Sequence, residues 1–384
     1  MGASVQAAST PFVQPGFFAT YVAPPDPQYP NPVWNISPVM DVVAYHFSWA
    51  WILIPSLFAS SESANFYFLA IVLGVTLAHR HYGLPYAYLD ESVFSRYQRQ
   101  LTWFPLACLA LFAATPLFLI GEDQGSRLSQ AAGAIVLLAV VWNVWHTYMQ
   151  KFGIMRLYLA KEPAGHLKTP GWVDKYFLLC WIPLFFSYLG PAYKSVILDR
   201  GADVGAALSA IIEFMEKYET LLVVPSVLVA AGGVTLWLWC EWRTQRFRNH
   251  ARLSAALGTT LASTALFWAD PVKAFIAFGF SHAIEYMVFV WGFQRRFYNQ
   301  PRQYPSIMQR LLKFPRAWYL SFTAILIIVG SLQALYIDDL NEVPFAWMTV
   351  GRWYFYYTVY ESLVHFYMDG FLWKMRRPEV SGYV

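Results

Sequence analysis

Charge is scarce in this chain. Asp, Glu, Lys and Arg make up only 13% of its 384 residues, against about 25% in an average soluble domain. Cysteine is scarcer still: Cys108, Cys180 and Cys240 lie far apart in apolar stretches. No Cys-x-x-Cys pair exists, which excludes a disulfide framework and a zinc knuckle. The N-terminus has no basic segment leading into a compact apolar run, so no cleavable signal peptide is expected. The net charge of +4 is no nucleic-acid footprint, because the Lys and Arg residues gather in a few loops. No internal repeat stands out, and no stretch suggests a separate soluble domain.

What the chain has is apolar length. It is 57% apolar and 19% aromatic, and apolar runs of about 20 residues, the length that crosses a bilayer, recur throughout. Ten candidate spans are expected, near 41–60, 64–79, 101–120, 131–150, 173–194, 219–241, 254–269, 272–294, 317–337 and 347–373. The fold class is therefore all-α, a polytopic integral membrane bundle of about ten transmembrane helices. Residues 1–40 carry Pro24, Pro25, Pro27, Pro30, Pro32 and Pro38 and read as an extended strap. Residues 41–373 form a single transmembrane domain, and 374–384 a cytoplasmic tail. The links at Ser60–Ala64 and Asp270-Pro271 are short enough to make antiparallel hairpins. An amphipathic helix is expected from Val204 to Lys217.

Charge asymmetry orients the bundle. With the C-terminus in the cytoplasm, the same side receives the loops at 80–100, 151–175, 241–253 and 295–316, and 21 of the 27 Lys and Arg residues. That positive-inside bias puts both termini in the cytoplasm, as in a multi-pass protein of the bacterial inner-membrane type.

Against this background the ionisable residues inside the spans stand out, since a charge at the bilayer centre costs roughly 3 kcal/mol on insertion scales. His46, His79, His146, His282 and His365 sit at or within spans, with His81 two residues after His79. In the expected topology all fall in the cytoplasmic half of the membrane, and this convergence in depth points to one site. The tenth span carries Glu361, His365 and Asp369 at a spacing of four, so successive members lie about 40° apart on one stripe. The eighth carries His282 and Glu285 on one face, followed by Tyr286. The fourth carries His146 and, one turn on, Gln150. A carboxylate one turn from an imidazole can share its metal or orient its free nitrogen. His79-Arg80-His81 has a familiar metal-ligand spacing at a helix end, and Asp90 follows. His46 ranks last among the ligands, while His166 and His250 fall in basic loops and read as solvated.

In layout, this set of histidines at the ends of spans resembles the membrane histidine-cluster non-haem iron enzymes. These are the fatty-acid desaturases and hydroxylases and the Brp/Blh-type membrane carotene oxygenases. The His-x-x-x-His and His-x-x-His-His boxes of the desaturases are absent here, and the likeness covers the site-bearing helices.

The leading reading is an oxidoreductase that activates O₂ on a lipophilic substrate such as a fatty acyl chain, lipid or isoprenoid. It assigns His79, His81, His146, His282 and His365 as metal ligands. Glu285, Glu361 and Asp369 are catalytic or bridging carboxylates, and Gln150, Tyr286 and Asp90 contact substrate or ligands. Mixed nitrogen and oxygen ligation suits iron, with two ions favoured and manganese or zinc as alternatives. Membrane lipids and an electron-donor protein on the cytoplasmic face are the expected partners. The competing readings are a proton-coupled transporter and, behind it, a bis-histidine haem protein passing electrons.

Overall fold

The structure is a computed structural model that describes residues 34–59, 62–119, 127–162, 167–193, 206–245, 247–298, 306–346 and 348–374. Most of the proposed strap, the tail and several loop expectations fall outside them, as does His166. The described residues are helical except for connecting turns and one two-residue hairpin.

After a capped turn at Pro38–Met40 and a π-helical turn at Asp41–His46, the chain forms α1 (Ala50–Phe58) and α2 (Glu62–His81). A short α3 (Leu84–Leu89) leads to α4 (Glu91–Leu119) and the long α5 (Arg127–Ala160). Then come α6 (Gly171–Leu179), α7 (Trp181–Tyr193), the amphipathic α8 (Ala206–Lys217) and α9 (Glu219–Gln245). The chain continues through α10 (His250–Trp268), α11 (Pro271–Tyr298), α12 (Ile307–Leu311), α13 (Pro315–Leu335) and α14 (Ile337–Glu342). It ends with the antiparallel pair β1 (Pro344–Phe345) and β2 (Met348–Thr349), followed by α15 (Val350–Leu372).

Helix starts follow local chemistry. Asn249 accepts from the Arg252 amide at 3.1 Å, Asp270 from Lys273 at 3.0 Å and Thr349 from Arg352 at 3.3 Å, each satisfying a donor the helix itself leaves open. Pro271 and Pro315 occupy first helical positions, where the missing N–H costs nothing. Several helices outrun their apolar runs. α5 continues ten residues past 150 and carries Lys151 and Arg156, and α4 starts ten residues before 101.

Among the described residues, three helices are long and apolar enough to cross a membrane: Glu219–Thr244, Pro271–Tyr298 and Pro315–Leu335. Only 22% and 17% of the most apolar windows of the first and third are buried, against 61% in the second. Leu221, Leu228, Leu320 and Ile325 are exposed along the two outer helices. Apolar faces of that extent are rare on soluble monomers and suit a lipid surround.

α11 lies at the centre. It packs on α1, α2, α5, α7, α10 and the π-helical turn. α15 packs on α2, α4 and α5. Hence α2, α11, α5 and α15 touch in a closed cycle. Two close backbone approaches set this frame. A Cβ on Gly74 would lie 2.4 Å from the Ile327 carbonyl oxygen, and one on Gly330 would lie 2.8 Å from the Gly74 Cα, so α2 and α13 meet almost backbone to backbone. A Cβ on Gly258 of α10 would strike the His46 carbonyl.

Candidate metal centre

Each helix of that cycle delivers one imidazole to its axis. His79 sits in the last turn of α2, His146 and His282 in the middle of α5 and α11, and His365 in the second half of α15. All four are buried. Their rings repeat the order of the helices. Ring centroids are separated by 5.0 Å from His79 to His282, 5.1 Å from His282 to His146, 5.3 Å from His146 to His365 and 4.8 Å from His365 back to His79. The His282–His365 diagonal is 6.5 Å. Neighbouring rings meet edge to face.

The nitrogens there lack partners. Both ring nitrogens of His79 and of His282, and Nε2 of His146 and of His365, are buried without a hydrogen bond. A buried polar atom left unmatched costs about 1–3 kcal/mol, so this concentration of them calls for a ligand. Asp369 completes the site: its Oδ2 lies 3.4 Å from His146 Nε2 and 3.4 Å from His365 Nε2, with no aligned hydrogen bond to either.

Two overlapping sets could hold a metal ion, His79 with His282 and His365, and His146 with His365 and Asp369. Within each set the ligand atoms lie within 4.8 Å of one another. Three ligands on one ion at about 2.1 Å stand roughly 3–3.6 Å apart, so each set would have to draw together by up to about 1–2 Å to reach bonding distance. Imidazole with one carboxylate is a donor set for iron, zinc or copper. The residues present therefore fit a metal.

Around the pocket, the Tyr286 hydroxyl donates to Asp369 Oδ1 at 2.8 Å, and Trp373 Nε1 lies 3.0 Å from the Tyr286 hydroxyl and 3.1 Å from Asp369 Oδ1. These contacts leave Oδ2 facing the imidazoles. Phe366 packs on His146 with centroids 4.8 Å apart and touches Trp142, giving the pocket an apolar wall.

The other residues singled out from the sequence lie elsewhere. Glu285, one turn from His282, faces away from the pocket and is fully buried in an ion pair with Lys151. Its carboxylate also accepts from Ser281 at 2.7 Å and lies 3.5 Å from Gln150 Nε2. Gln150 donates to the His282 carbonyl at 3.1 Å and so touches the backbone of a pocket residue. Glu361 pairs with Arg80 at 3.5 Å and with His81 at 3.1 Å. His81 Nδ1 also reaches the Leu77 carbonyl at 2.8 Å, because two residues along a helix turn its ring away from that of His79. His46 has both nitrogens engaged, by Ser254 at 2.8 Å and Tyr158 at 3.0 Å. Asp90 caps α4 through Ser92 and accepts from Tyr298 at 2.8 Å. His250 is exposed at the start of α10.

Sequence reasoning missed Lys151, which it counted among loop cations. The signal was its place one residue after Gln150 on a helix still apolar beyond it. It also missed Arg252, read as a loop cation and in fact fully buried between Asp174 and Glu241.

The site is thus a buried, histidine-rich pocket inside a helix bundle whose side chains could hold a metal ion. No protein-family model, curated protein or solved structure matches the chain, so this placing rests on the geometry alone.

Proposed function

We propose that the chain is a multi-pass membrane oxidoreductase whose metal centre is formed by His79, His146, His282, His365 and Asp369. The observation that carries this reading is the convergence of four imidazoles from four helices, with their inward nitrogens unmatched. The reading takes the ten apolar segments as spans, both termini as cytoplasmic and the site as lying in the cytoplasmic half of the membrane. Iron is the favoured metal, and when bound it supplies the redox chemistry that O₂ activation requires. The metal is one ion in this reading, since Glu285 and Glu361, the expected bridging carboxylates, are held by Lys151 and by Arg80 and His81. The chain's own residues do the rest. Asp369 balances charge and orients His146 and His365, Tyr286 fixes Asp369, and Phe366 and Trp142 present an apolar surface to a fatty acyl or isoprenoid substrate and exclude water. The resemblance to the membrane histidine-cluster oxygenases points the same way, and an electron donor on the cytoplasmic face is its natural partner.

Elemental analysis with an optical spectrum of the protein purified in detergent tests this. About one iron per chain is expected, lost in His282→Leu; two per chain would restore a dinuclear centre. A folded protein that holds no transition metal and takes up none on incubation overturns the reading. A Soret band would select the haem alternative, against which stands the direct contact of the four rings.

One observation favours proton-coupled transport instead. A cavity of about 10 Å³, the size of a single water site, is lined by Tyr45, His46, Lys151 and Glu285. Uptake into liposomes driven by a pH gradient would support that reading.

A further inference from the structure

From the pocket runs a line of aromatic rings whose first members, Tyr286 and Trp373, hold Asp369 in the metal reading and whose further extent that reading leaves unused. Tyr286 lies against two of the imidazoles, its ring centroid 5.0 Å from His365 and 5.9 Å from His79. Trp373 follows, hydrogen-bonded to the Tyr286 hydroxyl with centroids 6.3 Å apart. Tyr86 of α3 stacks on Trp373 at 5.2 Å and 19° between planes. Tyr298, the last residue of α11, stands 6.4 Å from Tyr86. Tyr286 and Tyr298 are twelve residues apart on one helix, about 18 Å, and rings from two other elements bridge the gap.

The ends of this line carry more than packing requires. A buried phenol gives up an electron only if its proton has a base to go to, because the radical cation is too costly in a low dielectric. Both terminal tyrosines have one. Tyr286 donates to Asp369 at 2.8 Å and Tyr298 to Asp90 at 2.8 Å. Trp373, whose indole can carry a hole with its proton retained, stands between them. Gly83 keeps the inner joint open, since a Cβ there would lie 2.8 Å from the Tyr286 hydroxyl.

We infer that Tyr286, Trp373, Tyr86 and Tyr298 form an electron-transfer path from the end of α11 to the metal pocket, with Asp369 and Asp90 as proton acceptors for the two terminal tyrosines. The inference rests on the metal reading. In the inward step Tyr286 is oxidised, its electron passing to the oxidised metal centre and its proton to Asp369. Trp373 then returns an electron to Tyr286 while Asp369 returns the proton. Tyr298, giving its proton to Asp90, refills Trp373 across the Tyr86 ring, and a one-electron reductant outside the bundle refills Tyr298 as the proton comes back from Asp90. The sum is one electron delivered inward with no net change in the chain.

The test uses the full-length ferrous protein in detergent, mixed with hydrogen peroxide and freeze-quenched for EPR, with and without ascorbate. Peroxide takes two electrons and two protons to become two waters. The ferrous ion supplies one electron, tyrosine the other with one proton, and solvent the second proton. The expected result is a transient tyrosyl signal, lost in Tyr286→Phe. In Trp373→Phe and Tyr86→Leu the signal should form in equal yield and be quenched by ascorbate about tenfold more slowly, equivalent to roughly 1.4 kcal/mol of added barrier. Iron content should be unchanged in Tyr86→Leu, which touches no residue of the metal pocket. Iron-loaded protein that gives no organic radical, or one whose quenching is indifferent to both bridge variants, overturns the path and leaves the metal site standing. Protein that binds no iron overturns both.

Discussion

Two buried polar clusters in this bundle are built on opposite plans. Around Arg252 every charge is answered. The guanidinium meets Asp174 at 2.7 Å, Glu241 at 2.9 Å and the Met155 carbonyl at 3.0 Å. Trp237 donates to Asp174 at 3.0 Å and Thr169 to Glu241 at 2.9 Å. In the histidine pocket six imidazole nitrogens are buried without a hydrogen bond, while Asp369 is held through Oδ1 by Tyr286 and Trp373. A closed network holds helices together and has no capacity left for a ligand. A convergent set of unmatched nitrogens contributes little to the fold by itself and keeps its bonding capacity for something absent from the polypeptide.

If that contrast is right, substitutions in the two regions must act on different observables. The largest effect belongs to Arg252→Met, which leaves buried Glu241 without its cation and buried Asp174 with Arg156 alone. Unfolding in detergent should show a loss of about 3–5 kcal/mol, and metal content per folded molecule should be unchanged. Next is Lys151→Met, which leaves Glu285 buried without its cation and costs about 3 kcal/mol. The double variant Lys151→Met/Glu285→Leu should recover much of this, and a cycle without coupling would break the assignment of Glu285 to structure. His282→Leu inverts the pattern. Metal affinity should fall at least about 100-fold, near 2.7 kcal/mol. The metal-free protein should be equal or up to about 1 kcal/mol more stable, because two orphaned nitrogens are gone. Metal-free protein destabilised as strongly as by Arg252→Met would erase the distinction between the clusters. Smallest is Asp90→Ala, which removes the cap of α4 and the Tyr298 hydrogen bond; a loss of about 1 kcal/mol, read by thermal melting, is expected.

The sequence carried much of this. Among the described residues each apolar segment is mostly helix, because period and length are local properties, although the first and fifth are each broken in two, after His46 and at Cys180, and the tenth opens on β2. The convergence of His79, His146, His282 and His365 was legible from depth, since all four fell in the expected cytoplasmic half, His282 about mid-span; depth equally admitted His46 and His81, whose rings are engaged elsewhere. Which face of each helix meets which neighbour was not legible. Glu285 shares a helix with His282 and Glu361 with His365, and neighbouring cations hold both: Lys151 from α5 and Arg80 from α2. His81 differs from His79 only by a rotation about the helix axis, which composition does not record. Arg252 looked like any loop cation because its two acids are supplied by α6 and by the end of α9.

The near-contact of Gly74 and Gly330 reaches the pocket as well. His79 follows Gly74 by five residues, about 7.5 Å along a stiff helix, so the spacing of α2 from α13 sets how far that imidazole extends toward the other three. A single methyl group at position 330 would pry the two helices apart and retract one ligand while leaving all four in place. On the proposed metal reading, ion size preference would be adjustable from a glycine that never touches the ion, a lever for shifting the bundle between metals of different radius.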